Sequence, residues 1–164
     1  MSDSEPIAVR LQHRGITLPD PMPTGNLPFQ LVRVHGDRAV LSGHVPIESD
    51  GRIARPLGKV GAEVSEEEAA QAARKAALAL FASLQAELGE LDRVVGWLRV
   101  FGMVNAAPGF KNMTAVINGA SEVILEVFGS ERGAHARSAV GMAELPMGVP
   151  VEIEAEVVIA TAPN

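Results

Sequence analysis

Apolar and polar positions alternate along this chain with two different periods, and the changes of period mark its elements. Over residues 65–88, Ala73, Ala76, Ala77, Leu80, Leu84 and Leu88 recur at helical spacing. Ser65 followed by Glu68 forms a capping box, Glu66, Glu67 and Glu68 put carboxylates at the positive end of the helix dipole, and Gly89 supplies a stop. The alanines on that face predict a helix lying close against a sheet. A second helix is expected over about 112–128, with Met113, Val116, Ile117, Ala120, Val123, Ile124 and Val127 on one broad face. Gly119 inside it costs about 1 kcal/mol relative to alanine, which implies that something approaches the backbone there.

The strand-like runs read differently. Residues 29–34 and 38–42 are β-rich and separated by His35-Gly36-Asp37, a hairpin with a glycine-containing turn. Residues 93–104 are mostly apolar, as in a strand covered at least partly on both sides, with Trp97 and Phe101 expected in the core. Another strand is predicted over 137–145. At 151–159 the alternation is regular: Val151, Ile153, Ala155, Val157 and Ile159 point one way, Glu152, Glu154 and Glu156 the other. Three aligned carboxylates predict a solvent face, or one of them facing a cleft or a subunit interface. Before the hairpin, residues 7–12 read as a short strand or an N-terminal arm, and the turn-forming residues 19–28 as an ordered loop.

The resulting order, strand-strand-helix-strand-helix-strand-strand, predicts an α+β layer: a mixed β-sheet with two helices packed on one face. The length of 164 residues fits one domain. With no cysteine, disulfides and thiolate chemistry are excluded. A net charge of −6, from 14 Lys+Arg against 20 Asp+Glu and without a basic stripe, argues against nucleic acid as a partner. No run approaches the roughly 20 apolar residues of a membrane span. The acidic start Met1-Ser2-Asp3-Ser4-Glu5 is unlike a signal peptide, so a cytoplasmic location is expected. His13, His35, His44 and His135 are too scattered for a zinc motif, and no metal site is expected.

The C-terminal third carries a pattern of its own: Ala136-Arg137-Ser138, then Leu145-Pro146, then Val151-Glu152-Ile153-Glu154-Ala155, with Arg137 fifteen residues before Glu152. This resembles the Rid (reactive intermediate deaminase) family, also called the YjgF family. Pro28-Phe29, the turn Ser42-Gly43-His44-Val45-Pro46 and Asn118 on the second helix extend the likeness over roughly residues 25–160. The domain division is then an N-terminal extension and loop, 1–24, followed by a single Rid-like domain, 25–164.

The resemblance implies a chorismate-mutase-like fold and a homotrimer with clefts between subunits. It implies hydrolysis of enamines and imines to 2-oxo acids and ammonium, with no cofactor and no metal. Carried over by position, Arg137 would hold the carboxylate of a small substrate and Glu152 would position water or shuttle a proton. Phe29, Gly43, His44, Asn118 and Ala139 would line the cleft. Phe29 stands where archetypal members have tyrosine, Ala139 where cysteine is frequent, and His44 where glutamine is found. Two other functions fit the same residues: a trimer that binds a small carboxylate without turnover, and an RNA-directed ribonuclease or translation inhibitor, which the acidic balance disfavours.

Overall fold

The structure is a computed structural model that describes residues 5–23 and 25–161. Residues 1–4 of the acidic N-terminus, and residue 24 of the predicted loop, lie outside the described residues. The described elements are α1 (Ile7–His13), β1 (Val32–His35), β2 (Arg38–His44), α2 (Glu66–Leu88), β3 (Val94–Asn105), α3 (Met113–Arg132), β4 (Ala136–Met142) and β5 (Val151–Ile159). The strands form one sheet in the order β1-β2-β5-β3-β4, antiparallel except for the β3–β4 pair. That parallel pair needs a crossover, and α3 provides it.

The predicted α+β architecture holds, with one helix more than expected. Residues 7–12 are not a strand or an arm: Ile7 and Leu11, four positions apart on α1, are both buried in the main core. Pro6 sits just ahead of the first turn, where its fixed φ and missing N–H cost nothing. The other helices follow their sequence signals. The Ser65 hydroxyl accepts from the Glu68 amide while the Glu68 carboxylate accepts from the Ser65 amide at 2.9 Å. A Cβ at Gly119 would overlap the carbonyl of Ala70, so the backbone approach implied by that glycine is α2 itself. Helical geometry in α3 first breaks at Gly129 (φ 80), one residue past the predicted end.

The helix layer covers one face of the sheet, where Val100, Val104, Val151, Ile153 and Val157 are fully buried. Phe81 of α2, Trp97 of β3 and Phe128 of α3 meet edge-to-face there, with ring centroids 5.2–5.6 Å apart. Phe101 does not join them. Four residues apart on a regular strand, Trp97 and Phe101 would share a face. A bulge lets β3 advance two residues, Trp97 to Arg99, while β5 moves one, from Val157 to Glu156. Phe101 therefore emerges on the uncovered face, half-buried, with the Arg99 guanidinium 5.1 Å above its ring.

The uncovered face also carries the three glutamates of β5. Glu156 pairs with Arg38 at 2.6 Å and Glu154 with Arg99 at 3.4 Å. Among the described residues, none forms an ion pair with Glu152.

Candidate functional site

Arg137 lies on β4, the edge strand, opposite Val100 of β3. Val100 faces the helices, and so does Arg137, whose half-buried side chain runs along α3. Nη1 donates to the Ser121 hydroxyl at 3.0 Å, and Nη2 donates to Asn118 Oδ1 at 2.8 Å and to the Thr114 carbonyl at 3.3 Å. Thr114, Asn118 and Ser121 follow the i, i+4, i+7 spacing of one helical face. Every acceptor is neutral, so the guanidinium is held in place with no compensating charge among the described residues. Asn118 was identified from the sequence, whereas Ser121 and the Thr114 carbonyl were not. Their signal was this polar stripe beside the apolar face of α3.

Glu152 belongs to a second cluster. On β5 it pairs with Met103 of β3 and faces the uncovered side, next to the β2 bulge between Leu41 and His44. Its carboxylate lies over Gly43, where any Cβ would collide with it. Half-burial beside that backbone, and secondarily the charge of Glu154, push the Glu152 carboxyl above its ordinary pKa. Phe29 is near the same bulge: the carbonyl of its neighbour Gln30 accepts from the Ser42 hydroxyl at 2.7 Å, and Phe29 is 48% exposed.

His44 and Ala139 point to the helix side. His44 is fully buried; its Nδ1 donates to the Ser42 carbonyl and its Nε2 meets Ser83 Oγ, both at 2.7 Å. Burial holds its pKa below the ordinary value, so the ring is neutral. Ala139, opposite Gly102 of β3, packs partly buried against the core. The structure thus joins Arg137 with Asn118, and Glu152 with Gly43, as two half-sites, with Phe29 adjoining the residue that bonds Ser42 at the β2 bulge. Strand spacing puts the Cα atoms of Arg137 and Glu152 roughly 14 Å apart, and their side chains leave opposite faces of the sheet. Among the described residues no group of acidic or histidine side chains is arranged to hold a metal ion, and no helix is long and apolar enough to cross a membrane.

A family model described as "YjgF/chorismate_mutase-like, putative endoribonuclease" matches residues 9–151. Protein TCP17 of Trypanosoma cruzi is 40% identical over 149 residues, 91% of each chain. The crystal structure of Atu1372 from Agrobacterium tumefaciens, a protein of unknown function, is 37% identical, with a TM-score of 0.85 over 94% of this chain and 92% of that one. The YjgF gene product of E. coli, 23% identical, shares the fold, with a TM-score of 0.59 over 87% of this chain and 97% of its own. The chain belongs to the YjgF family.

Proposed function

We propose that this protein hydrolyses 2-aminoacrylate-like enamines and imines to 2-oxo acids and ammonium, in clefts between the subunits of a homotrimer. The observation that carries the reading is the Arg137 guanidinium, fixed by three neutral acceptors and, among the described residues, with no carboxylate paired to it. A planar fork presented in this way suits a small carboxylate. Since Arg137 and Glu152 leave opposite faces of one sheet, a substrate touching both would be held between Arg137 of one copy and Glu152 of a neighbour. The uncovered face that bears Glu152 is the surface available to that neighbour.

The chemistry asks little of the protein. The enamine tautomerises to its imine, and the protonated imine is electrophilic at C2. A water held by Glu152 attacks there, forming a C–O bond as the C=N π pair returns to nitrogen. Glu152 takes the proton from the water and passes it to nitrogen. The C–N bond then breaks as the C=O bond forms, releasing ammonia, which takes up a proton. A carboxyl with a raised pKa exchanges protons more readily near neutrality than an ordinary glutamate. Anchoring and orientation supply the remaining rate gain.

A second reading, carboxylate binding without turnover, is favoured by Phe29 and Ala139, which bring neither a hydroxyl nor a thiol to the cleft. The endoribonuclease label of the family is a weaker fit for a chain of net charge −6.

The test is a trapping assay. A pyridoxal-phosphate dehydratase generates 2-aminoacrylate in the presence of semicarbazide, and the protein should divert product from semicarbazone to free 2-oxo acid. Arg137→Ala should lower that effect at least a hundredfold, and Glu152→Gln at least tenfold, with the trimer unchanged by light scattering. Wild-type protein that binds pyruvate but leaves the semicarbazone yield untouched would support the binding reading instead.

A further inference from the structure

His135 lies in the turn between α3 and β4, half-buried. Its Nδ1 is 2.7 Å from the Gly133 carbonyl, which can only accept, so Nδ1 carries the hydrogen. Its Nε2 is 2.9 Å from Ser121 Oγ, the same oxygen that accepts from Arg137 Nη1 at 3.0 Å. In the neutral ring Nε2 is an acceptor, and the serine hydrogen points to it. One hydroxyl therefore connects the anchor to a titratable ring, with each proton assigned.

We propose that His135 is a positioning residue for Arg137, acting through the Ser121 hydroxyl, and that its protonation places a second positive charge behind the anchor and tightens binding of a small carboxylate. The proposal rests on the reading of Arg137 as a carboxylate anchor. On protonation Nε2 becomes a donor, and Ser121 Oγ accepts from both cations while its own hydrogen turns away. The two hydrogen bonds keep the ring and the guanidinium within about 6 Å of each other. A unit charge added at that range, partly screened by solvent, corresponds to about a three- to tenfold gain in anion affinity. Linkage is reciprocal, so carboxylate binding draws a proton onto His135.

The other charged groups of the adjoining elements are identifiable. On α3, Glu126 is held by Arg14 and Arg74, and Arg132 by Asp92, while Glu122 and Glu131 are exposed. On β3, Arg99 pairs with Glu154 on the far face of the sheet. Among the described residues Arg137 alone is tied to His135 through a shared hydrogen-bond partner. Glu152 also titrates in acid, from the opposite face, so its contribution is separated by variant.

The experiment is calorimetric titration of the full chain with pyruvate from pH 5.5 to 8.0, in two buffers of different ionisation enthalpy. Wild type should bind about three- to tenfold more tightly at the acid end, with proton uptake on binding. His135→Gln should bind with a flattened pH profile and no such uptake, and Glu152→Gln should retain the His135-dependent part. Heteronuclear NMR of the free protein should find the neutral ring with hydrogen on Nδ1. An Nε2–H tautomer, or a His135→Gln profile matching wild type, overturns the proposal. Arg137→Ala separates the two ideas. If it abolishes binding while His135→Gln leaves the profile unchanged, only the role of His135 fails. If it binds pyruvate as well as wild type, the anchor itself is wrong.

Discussion

His44 and His135 are built alike and serve different ends. Each gives Nδ1–H to the carbonyl two residues earlier, at 2.7 Å, and turns Nε2 to a serine on a helix, Ser83 of α2 or Ser121 of α3. His44 and Ser83 are sealed in the core, where the pair fastens the β2 bulge to the helix layer. His135 and Ser121 are only half-buried, and beyond the serine lies a guanidinium. The same local motif is a pin in one place and part of a candidate binding site in the other. What separates them is the burial of the pair and the charge at its far end.

Breaking the buried pair should have the largest effect on stability. His44→Ala empties a fully buried ring and strands the Ser83 hydroxyl, costing about 3 kcal/mol, visible as a lower urea midpoint. The matching His135→Ala should cost under ~1 kcal/mol, and equal losses would erase the distinction. Next come the serines. Ser83→Ala should lose about 1–2 kcal/mol, because a buried ring nitrogen is left without its partner. Ser121→Ala should barely move the midpoint, yet weaken pyruvate binding several-fold as Arg137 loses one of its holders.

Acid acts on the buried pair more gradually than any substitution. Folding keeps His44 neutral, so below pH 6.5 the unfolded chain binds the extra proton. Stability should therefore fall as pH drops from about 6.5 toward the lowered folded value, by at most ~1.4 kcal/mol per pH unit. Urea midpoints of wild type and His44→Gln across that interval measure it; a wild-type slope persisting in the variant would assign it to other groups.

Much of the architecture was legible where a local signal agreed with the global packing. The capping box of α2, the alternation along β5 and Gly119 on α3 each stated their role in residue types alone. The N-terminal helix was not legible, because seven residues, barely two turns, carry too little periodicity to outweigh the prolines that follow. The facing of Arg137 was hidden for another reason. β4 is an edge strand without clean alternation, and its orientation comes only from parallel pairing with β3. Arg137 and Glu152 could be named from the family resemblance of the segments that carry them, but their placement on opposite sides of the sheet required the pairing of three strands. Phe101 was misread because a bulge carries no signature in residue type.

That bulge makes β3 behave like text with a reading frame. Removing Leu98 would close it, since Trp97 and Arg99 would then face Val157 and Glu156 one for one, with Val100 and Val104 still on the dry side of the sheet, whereas removing a residue between Val100 and Val104 would turn Val104 to the wet side. No single substitution does comparable damage, since each alters one letter and leaves the phase intact. Among descendants of this chain, the count of residues between Trp97 and Arg99 is therefore free to change by the one the bulge absorbs, while the count from Val100 to Val104 is not.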